Sequence, residues 1–102
     1  MKIINTEEFN ELIKCGNVLV DFFADWCGPC KMMGHVLEEV SEEYPDIEFV
    51  KVNVDDNMDL AESLGIMTIP TVYLFKDGAA VAKMNGYRDK GGVKAFIEDS
   101  LK

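Results

Sequence analysis

The chain has 102 residues, 48% of them hydrophobic, and a formal charge of −9 at pH 7. That length makes one domain, with enough core to fold without disulfide staples, and the apolar share excludes a disordered chain. The acidic balance argues against nucleic acid and anionic membranes as partners, and no apolar run approaches the roughly 20 residues that crossing a bilayer requires.

Met1-Lys2-Ile3-Ile4 followed by Glu7-Glu8 does not read as a signal peptide, so the expected location is the cytoplasm. Lys2–Ile4 can form an edge strand. Thr6 can cap a short helix from about Glu7 to Lys14, with Phe9, Leu12 and Ile13 as its apolar stripe. Gly16-Asn17 punctuates, and Val18–Ala24 is nearly all apolar, as suits a strand buried on both faces, with Asp21 interrupting it. Pro29 sits where a helix begins, Met33, Val36, Leu37, Val40 and Tyr44 follow at helical spacing, and Pro45 ends the helix.

Val50, Val52 and Val54 alternate on the next strand, and a short helix through Leu60, Ala61 and Leu64 starts near Asn57 and stops at Gly65. Thr71–Phe75 is a strongly apolar strand, Asp77-Gly78 a hairpin signal, Val81–Met84 the returning strand and Gly86 its end. Val93, Phe96, Ile97 and Leu101 mark a last amphipathic helix. Alternating helices and strands followed by a hairpin predict an α/β fold: a central mixed sheet flanked by helices on both faces.

Three cysteines exclude a full disulfide framework. Cys27 and Cys30 follow a buried strand and open a helix, whose N-terminal partial positive charge and free N–H groups favour a thiolate. Cys27, at the extreme end, is expected to be the more exposed and acidic; Cys30 lies one turn in. Helical residues three apart have Cβ atoms about 5–6 Å apart and a disulfide needs about 3.8 Å, so the pair can close and reopen with little adjustment. A fixed disulfide and structural zinc are the alternatives. Zinc commonly takes four Cys or His ligands, whereas this chain adds only a distant Cys15 and a single His35 to the pair, so no metal is expected.

The run Trp26-Cys27-Gly28-Pro29-Cys30-Lys31 after Val20-Asp21-Phe22 resembles the active site of the thioredoxin family. Thr68-Ile69-Pro70-Thr71 resembles that family's cis-proline loop, Phe75-Lys76-Asp77-Gly78 its hairpin, and Asn85-Gly86-Tyr87 its glycine loop near the active site. The similarity spans essentially the whole chain in the right order. It implies the thioredoxin fold and a monomeric protein-disulfide reductase that works through a Cys-Gly-Pro-Cys site without a bound cofactor. It implies thioredoxin reductase and disulfide-containing client proteins as partners, in electron transport and cell redox homeostasis. An oxidising or isomerising relative is the rival reading, which the Gly28-Pro29 dipeptide disfavours, and a non-enzymatic binding subunit is a further one.

By that resemblance Cys27 is the nucleophile and Cys30 the resolving thiol. Asp21 lies beneath Cys30 as proton acceptor, and Lys51 matches a lysine near that aspartate. Trp26, Gly28, Pro29, Ile69, Pro70 and Gly86 shape the surface on which a client docks, the loop before Pro70 offering it backbone groups. The apolar residues around Asp21 predict desolvation and a raised pKa, tempered by Lys51. In three places the chain departs from or adds to the family's pattern. Gly34-His35 stands where relatives usually carry a helix-kinking proline, and Phe23 where many carry a second tryptophan. Cys15 is expected to be an inert, partly buried thiol.

Overall fold

The computed structural model describes residues 1–102. Its elements in chain order are β1 (Lys2–Ile3), α1 (Thr6–Leu12), β2 (Asn17–Phe23), α2 (Gly28–Ser41), β3 (Ile47–Asn53), α3 (Met58–Ser63), β4 (Thr71–Lys76), β5 (Ala79–Asn85) and α4 (Lys90–Ser100), with one 3₁₀ turn at Val54–Asp56. The five strands lie in the order β1-β3-β2-β4-β5. β2 is central, parallel to β3 and antiparallel to β4, while β4 and β5 form the hairpin. The mixed sheet expected from the alternation is therefore present. No helix is long and apolar enough to cross a membrane.

The alternation of side chains along β2 sorts the core into two layers. Leu19 packs with Met33, Leu37 and Val40 of α2 and with Val93, Phe96 and Ile97 of α4. Val18, Val20 and Phe22 point the other way, into Phe9 of α1 and Leu60 of α3. That second layer is strongly aromatic: Phe9 meets Phe22 and Phe75 edge-on, with ring centroids 6.1 and 5.3 Å apart. Such contacts are worth about 0.5–1.5 kcal/mol each beyond the area buried. Because β2 is covered on both faces, its near-continuous apolar run is what the position demands.

Several local expectations are corrected. The cap of α1 is Asn5, not Thr6: Asn5 accepts from the Glu8 N–H at 2.9 Å, and the Glu8 carboxylate accepts from the Asn5 N–H at 3.1 Å. This reciprocal box satisfies two backbone donors at once, which Thr6 could not do. Thr6 instead gives its N–H and hydroxyl to Asn57 Oδ1, at 2.9 and 2.8 Å. Asn57 stands before α3 but supplies no side-chain cap, its oxygen being taken by Thr6.

Helix α2 ends at Ser41, four residues before Pro45, and the chain leaves it through tighter turns in which the N–H groups of Glu42, Glu43 and Tyr44 bond three residues back. Tyr44 lies outside the helix yet still packs on the core, its hydroxyl donating to Glu98 at 3.0 Å. Val54 is not on a strand. Asn53 Oδ1 accepts from the Asp55 N–H at 2.9 Å and turns the chain into the 3₁₀ segment. Cys15 is exposed rather than partly buried, because it falls in the turn between α1 and β2 and not on the apolar stripe of the helix. Gly34-His35 leaves α2 unbroken, with His35 on its exposed side.

Candidate functional site

The C-terminal end of the central strand delivers the chain to the start of α2, and the cysteines sit at that junction. Cys27 is the cap residue of α2: its backbone is extended and its Sγ accepts from the Cys30 N–H at 3.2 Å. Gly28 and Pro29 form the first helical positions, where the missing N–H of Pro29 costs nothing. Cys27 and Cys30 are joined in a disulfide with their Cα atoms 5.2 Å apart, within the range such a bond takes. Both cysteines are buried, and Cys27 is the more exposed residue by a small margin, 5% against 2%. Both pack with Phe23, Ala24 and Ile69, so the pair sits in an apolar setting with the helix terminus as its electrostatic support.

Ile69-Pro70 is a cis peptide bond, as the resemblance implied. It brings the Ile69 carbonyl oxygen to 4.0 Å from Cys27 Sγ. Two contacts fix this loop. The Gly86 N–H donates to the Pro70 carbonyl at 2.8 Å. The buried Thr71 hydroxyl donates to the Thr68 carbonyl at 2.6 Å and lies 3.0 Å from the Asn85 side chain. Gly86 has φ of +80°, a left-handed backbone that other residues adopt with strain, and no atom lies within 4 Å of where its Cβ would be. Its place is set by backbone conformation and not by crowding within the chain.

Asp21 is fully buried on β2. By strand alternation it faces the same side as Leu19 and Phe23, the side covered by α2. Its register partners are Lys51 on β3 and Val72 on β4. Neither carboxylate oxygen has a hydrogen-bond partner in the protein. Burial pushes the Asp21 carboxyl up from 3.8 to about 7, and the Lys51 ammonium restrains the rise. The Lys51 ammonium stands 4.3 Å from the centre of the Phe23 ring, a cation–π contact, and 3.5 Å from where a Cβ on Gly34 would be. Lys51 and Cys30 together line a cleft of about 120 Å³, with Phe23, Asp25 and Lys31 on its walls. Asp21, Lys51 and Cys30 thus belong to one corner of the molecule.

Trp26 is 72% exposed and not a core residue. Its indole N–H donates to Asp55 Oδ2 at 2.9 Å, which holds the ring against the 3₁₀ turn. An open groove of about 350 Å³ starts at this ring and runs between α3 and Ile69. Asp55 was missed from the sequence, and Thr71 and Asn85, though part of the runs that carry the resemblance, were given no role there. Their partners lie 29, 3 and 14 residues away, and only the chain's return through the sheet brings Asp55 and Asn85 to the site. Thr71 had a local signal, a polar residue directly after Pro70 at the start of a largely apolar strand.

No group of acidic, His and Cys side chains is arranged to hold a metal ion. What this corner can do chemically is make and break a disulfide at Cys27, with a titratable carboxyl behind it.

Comparison with known proteins gives a consistent result. Residues 1–99 match the family model described as thioredoxin. A thioredoxin of Chlamydia caviae is 48% identical over 97 residues, covering 95% of each chain. A thioredoxin of Staphylococcus haemolyticus is 39% identical over 99 residues, covering 96% of this chain and 95% of that one. Among solved structures, the thioredoxin of Plasmodium falciparum superposes with a TM-score of 0.90 at 37% identity, covering 97% of this chain and 98% of that one. The oxidised form of mitochondrial thioredoxin 3 from Saccharomyces cerevisiae gives 0.86 at 37% identity, covering 96% and 94%.

Proposed function

The chain belongs to the thioredoxin family and is a thiol–disulfide oxidoreductase, and from that premise we propose that it reduces protein disulfides with Cys27 as its nucleophile and Cys30 as its resolving thiol. The observation that carries this assignment is the position of Cys27 as the cap of α2, its sulfur 4.0 Å from the Ile69 carbonyl at the docking loop, with Cys30 one turn behind it.

In the reduced protein the Cys27 thiolate attacks one sulfur of a client disulfide. A Cys27–client bond forms, the client's own S–S bond breaks, and the departing client thiolate takes a proton. Cys30 then gives its proton to the Asp21 carboxylate and attacks the Cys27 sulfur. The Cys27–Cys30 disulfide forms and the second client thiolate leaves, taking up a proton. Two electrons have passed from the cysteine pair to the client. The disulfide joining Cys27 to Cys30 is the product state of that half-reaction.

Asp21 suits the acceptor role because its pKa of about 7 lets it gain and lose a proton near neutrality. Lys51 supports the transfer by favouring the ionised form. Trp26, Gly28, Pro29, Ile69, Pro70 and Gly86 form the docking surface. The family works with thioredoxin reductase, and we assign this chain a reductase of that kind as its electron source. We further propose that residues 1–102 act as one domain, as a monomer and in the cytoplasm, in keeping with the reducing chemistry.

Equilibration with glutathione tests the reading. A reducing protein of this class has a potential of about −270 mV, whereas an oxidant of similar architecture lies near −120 mV. A value at the oxidising end would overturn the reductase direction while leaving the exchange chemistry intact.

A further inference from the structure

Resting on the disulfide-exchange reading, we propose that the groove beside Cys27 selects clients that place an apolar residue and then a Lys or Arg next to their disulfide.

The groove adjoins the reacting sulfur. Ile69 lines it with its side chain and presents its carbonyl to Cys27 Sγ, 4.0 Å away. A client whose cysteine meets Cys27 must lay a neighbouring residue across this opening. Val54, Ala61 and Ile66 give it an apolar wall, and its volume of about 350 Å³ has room for one or two side chains. Met58 and Met67 stand on its rim, 70% and 93% exposed. Flexible thioethers adapt to varied shapes, so the apolar contact discriminates little among anchors.

Charge supplies the discrimination. The two charged residues in the groove are Asp55 and Glu62. Asp56 and Asp59 lie on the same stretch, and residues 52–75 hold these four acids and no Lys or Arg. None of the four is in an ion pair, so no cation of the chain itself offsets their charge. Asp55 accepts from Trp26 through one oxygen only. The cleft at Cys30 differs in balance, with Lys31 and Lys51 lining it against one acid, Asp25. The site is therefore acidic along the groove, with two lysines against one acid at the Cys30 cleft. A client side chain of positive charge is attracted on one side of its cysteine and not on the other, and a like charge on the groove side is repelled.

The test uses the reduced full chain and symmetric disulfide dimers of a short peptide. Lys or Glu is placed two residues before or two residues after the peptide cysteine, and an apolar residue lies between. Oxidation is followed in a stopped-flow instrument by Trp26, the single tryptophan. At one position the Lys peptide is expected to react about fivefold faster than the Glu peptide at low salt, falling below about twofold at 0.5 M salt. At the other position the ratio stays near one.

Glu62→Gln should about halve the larger ratio. Glu48→Gln makes the same change in net charge at the opposite end of β3 and should leave it unchanged. Equal effects of the two variants would mean that net charge alone acts, and would overturn the proposal, as would the absence of a Lys preference at both positions. Bis(2-hydroxyethyl) disulfide, neutral and too small to fill the groove, separates the two readings. If it fails to oxidise the reduced chain, the exchange reading itself fails; if it reacts while the peptides show no charge preference, only the selectivity of the groove fails.

Discussion

Asp21 and Lys51 stand opposite each other in the parallel pairing of β2 and β3, a fully buried carboxyl and the cation whose charge acts on it. Burial wins over that attraction, since the net effect is a rise to about 7. A buried acid without a hydrogen-bond partner works against folding. In the proposed mechanism the same carboxylate accepts the proton of Cys30.

The first consequence is a pH-dependent stability with a definite sign. Well below pH 3.8 Asp21 is protonated in both the folded and the unfolded chain and has no effect. Between 3.8 and about 7 the unfolded chain ionises it while the folded chain does not, so stability is lost as pH rises. The loss accumulates at about 1.4 kcal/mol per pH unit and is complete above the folded pKa. Asp21→Asn removes the ionisation and is expected to stabilise the fold at pH 8 by about 4 kcal/mol, with the gain shrinking toward pH 4. Denaturant melts at the two pH values check this. A variant less stable than the parent at pH 8 would show an ordinary solvated carboxylate.

Lys51→Met removes the charge that restrains the pKa of Asp21. If Asp21 must be ionised to accept the proton of Cys30, the rate of the resolving step rises with pH through the pKa of Asp21. The variant is expected to move that midpoint upward by about 0.5–1 pH unit. Single-turnover reduction of a protein disulfide across pH 5–9 measures it. An unmoved midpoint would separate Lys51 from the proton transfer.

Cys15 lies before β2 and the active site lies after it, so the seven-residue strand separates them by about 20 Å. Cys15→Ser should therefore retain disulfide reduction to within tenfold, about 1.4 kcal/mol in the barrier. Because Cys15 is exposed, the oxidised protein should take up one maleimide per chain, and take it up at this residue. Peptide mapping of the labelled protein decides the point.

Gly86→Ala forces a side chain into a left-handed backbone at φ +80°. The cost is about 1–2 kcal/mol of stability. The Gly86 N–H also holds the Pro70 carbonyl, so the docking loop should loosen. The expected result is a higher KM for a protein disulfide, with little change toward a small disulfide. A melt alongside both assays distinguishes this from general unfolding, which would lower both activities together.

Much of this was legible from local patterns. The apolar run Val18–Ala24 marked a doubly covered strand, Pro29 marked the start of α2, and Asp77-Gly78 marked the hairpin, because each signal is carried by residues adjacent in sequence. The pull of burial on Asp21 was also readable, since its neighbours on the strand determine it. What escaped depends on partners distant in the chain. Asn5 and Thr6 are both good caps by type, and Asn57, 51 residues from Thr6, decides between them by taking up the Thr6 hydroxyl. Asp55 gave no sign of its bond to Trp26, 29 residues earlier. Val54 continued an alternating pattern that the Asn53 side chain breaks by bonding to the Asp55 N–H.

The central claim is the division of labour between the cysteines, and trapping tests it most directly. Cys30→Ser leaves Cys27 able to attack a client but removes the thiol that releases it. Mixed disulfides with a disulfide-bonded test protein should accumulate and, by mass spectrometry, map to Cys27. Cys27→Ser should trap none. Equal trapping by Cys27→Ser, through Cys30, would contradict the assignment of the nucleophile.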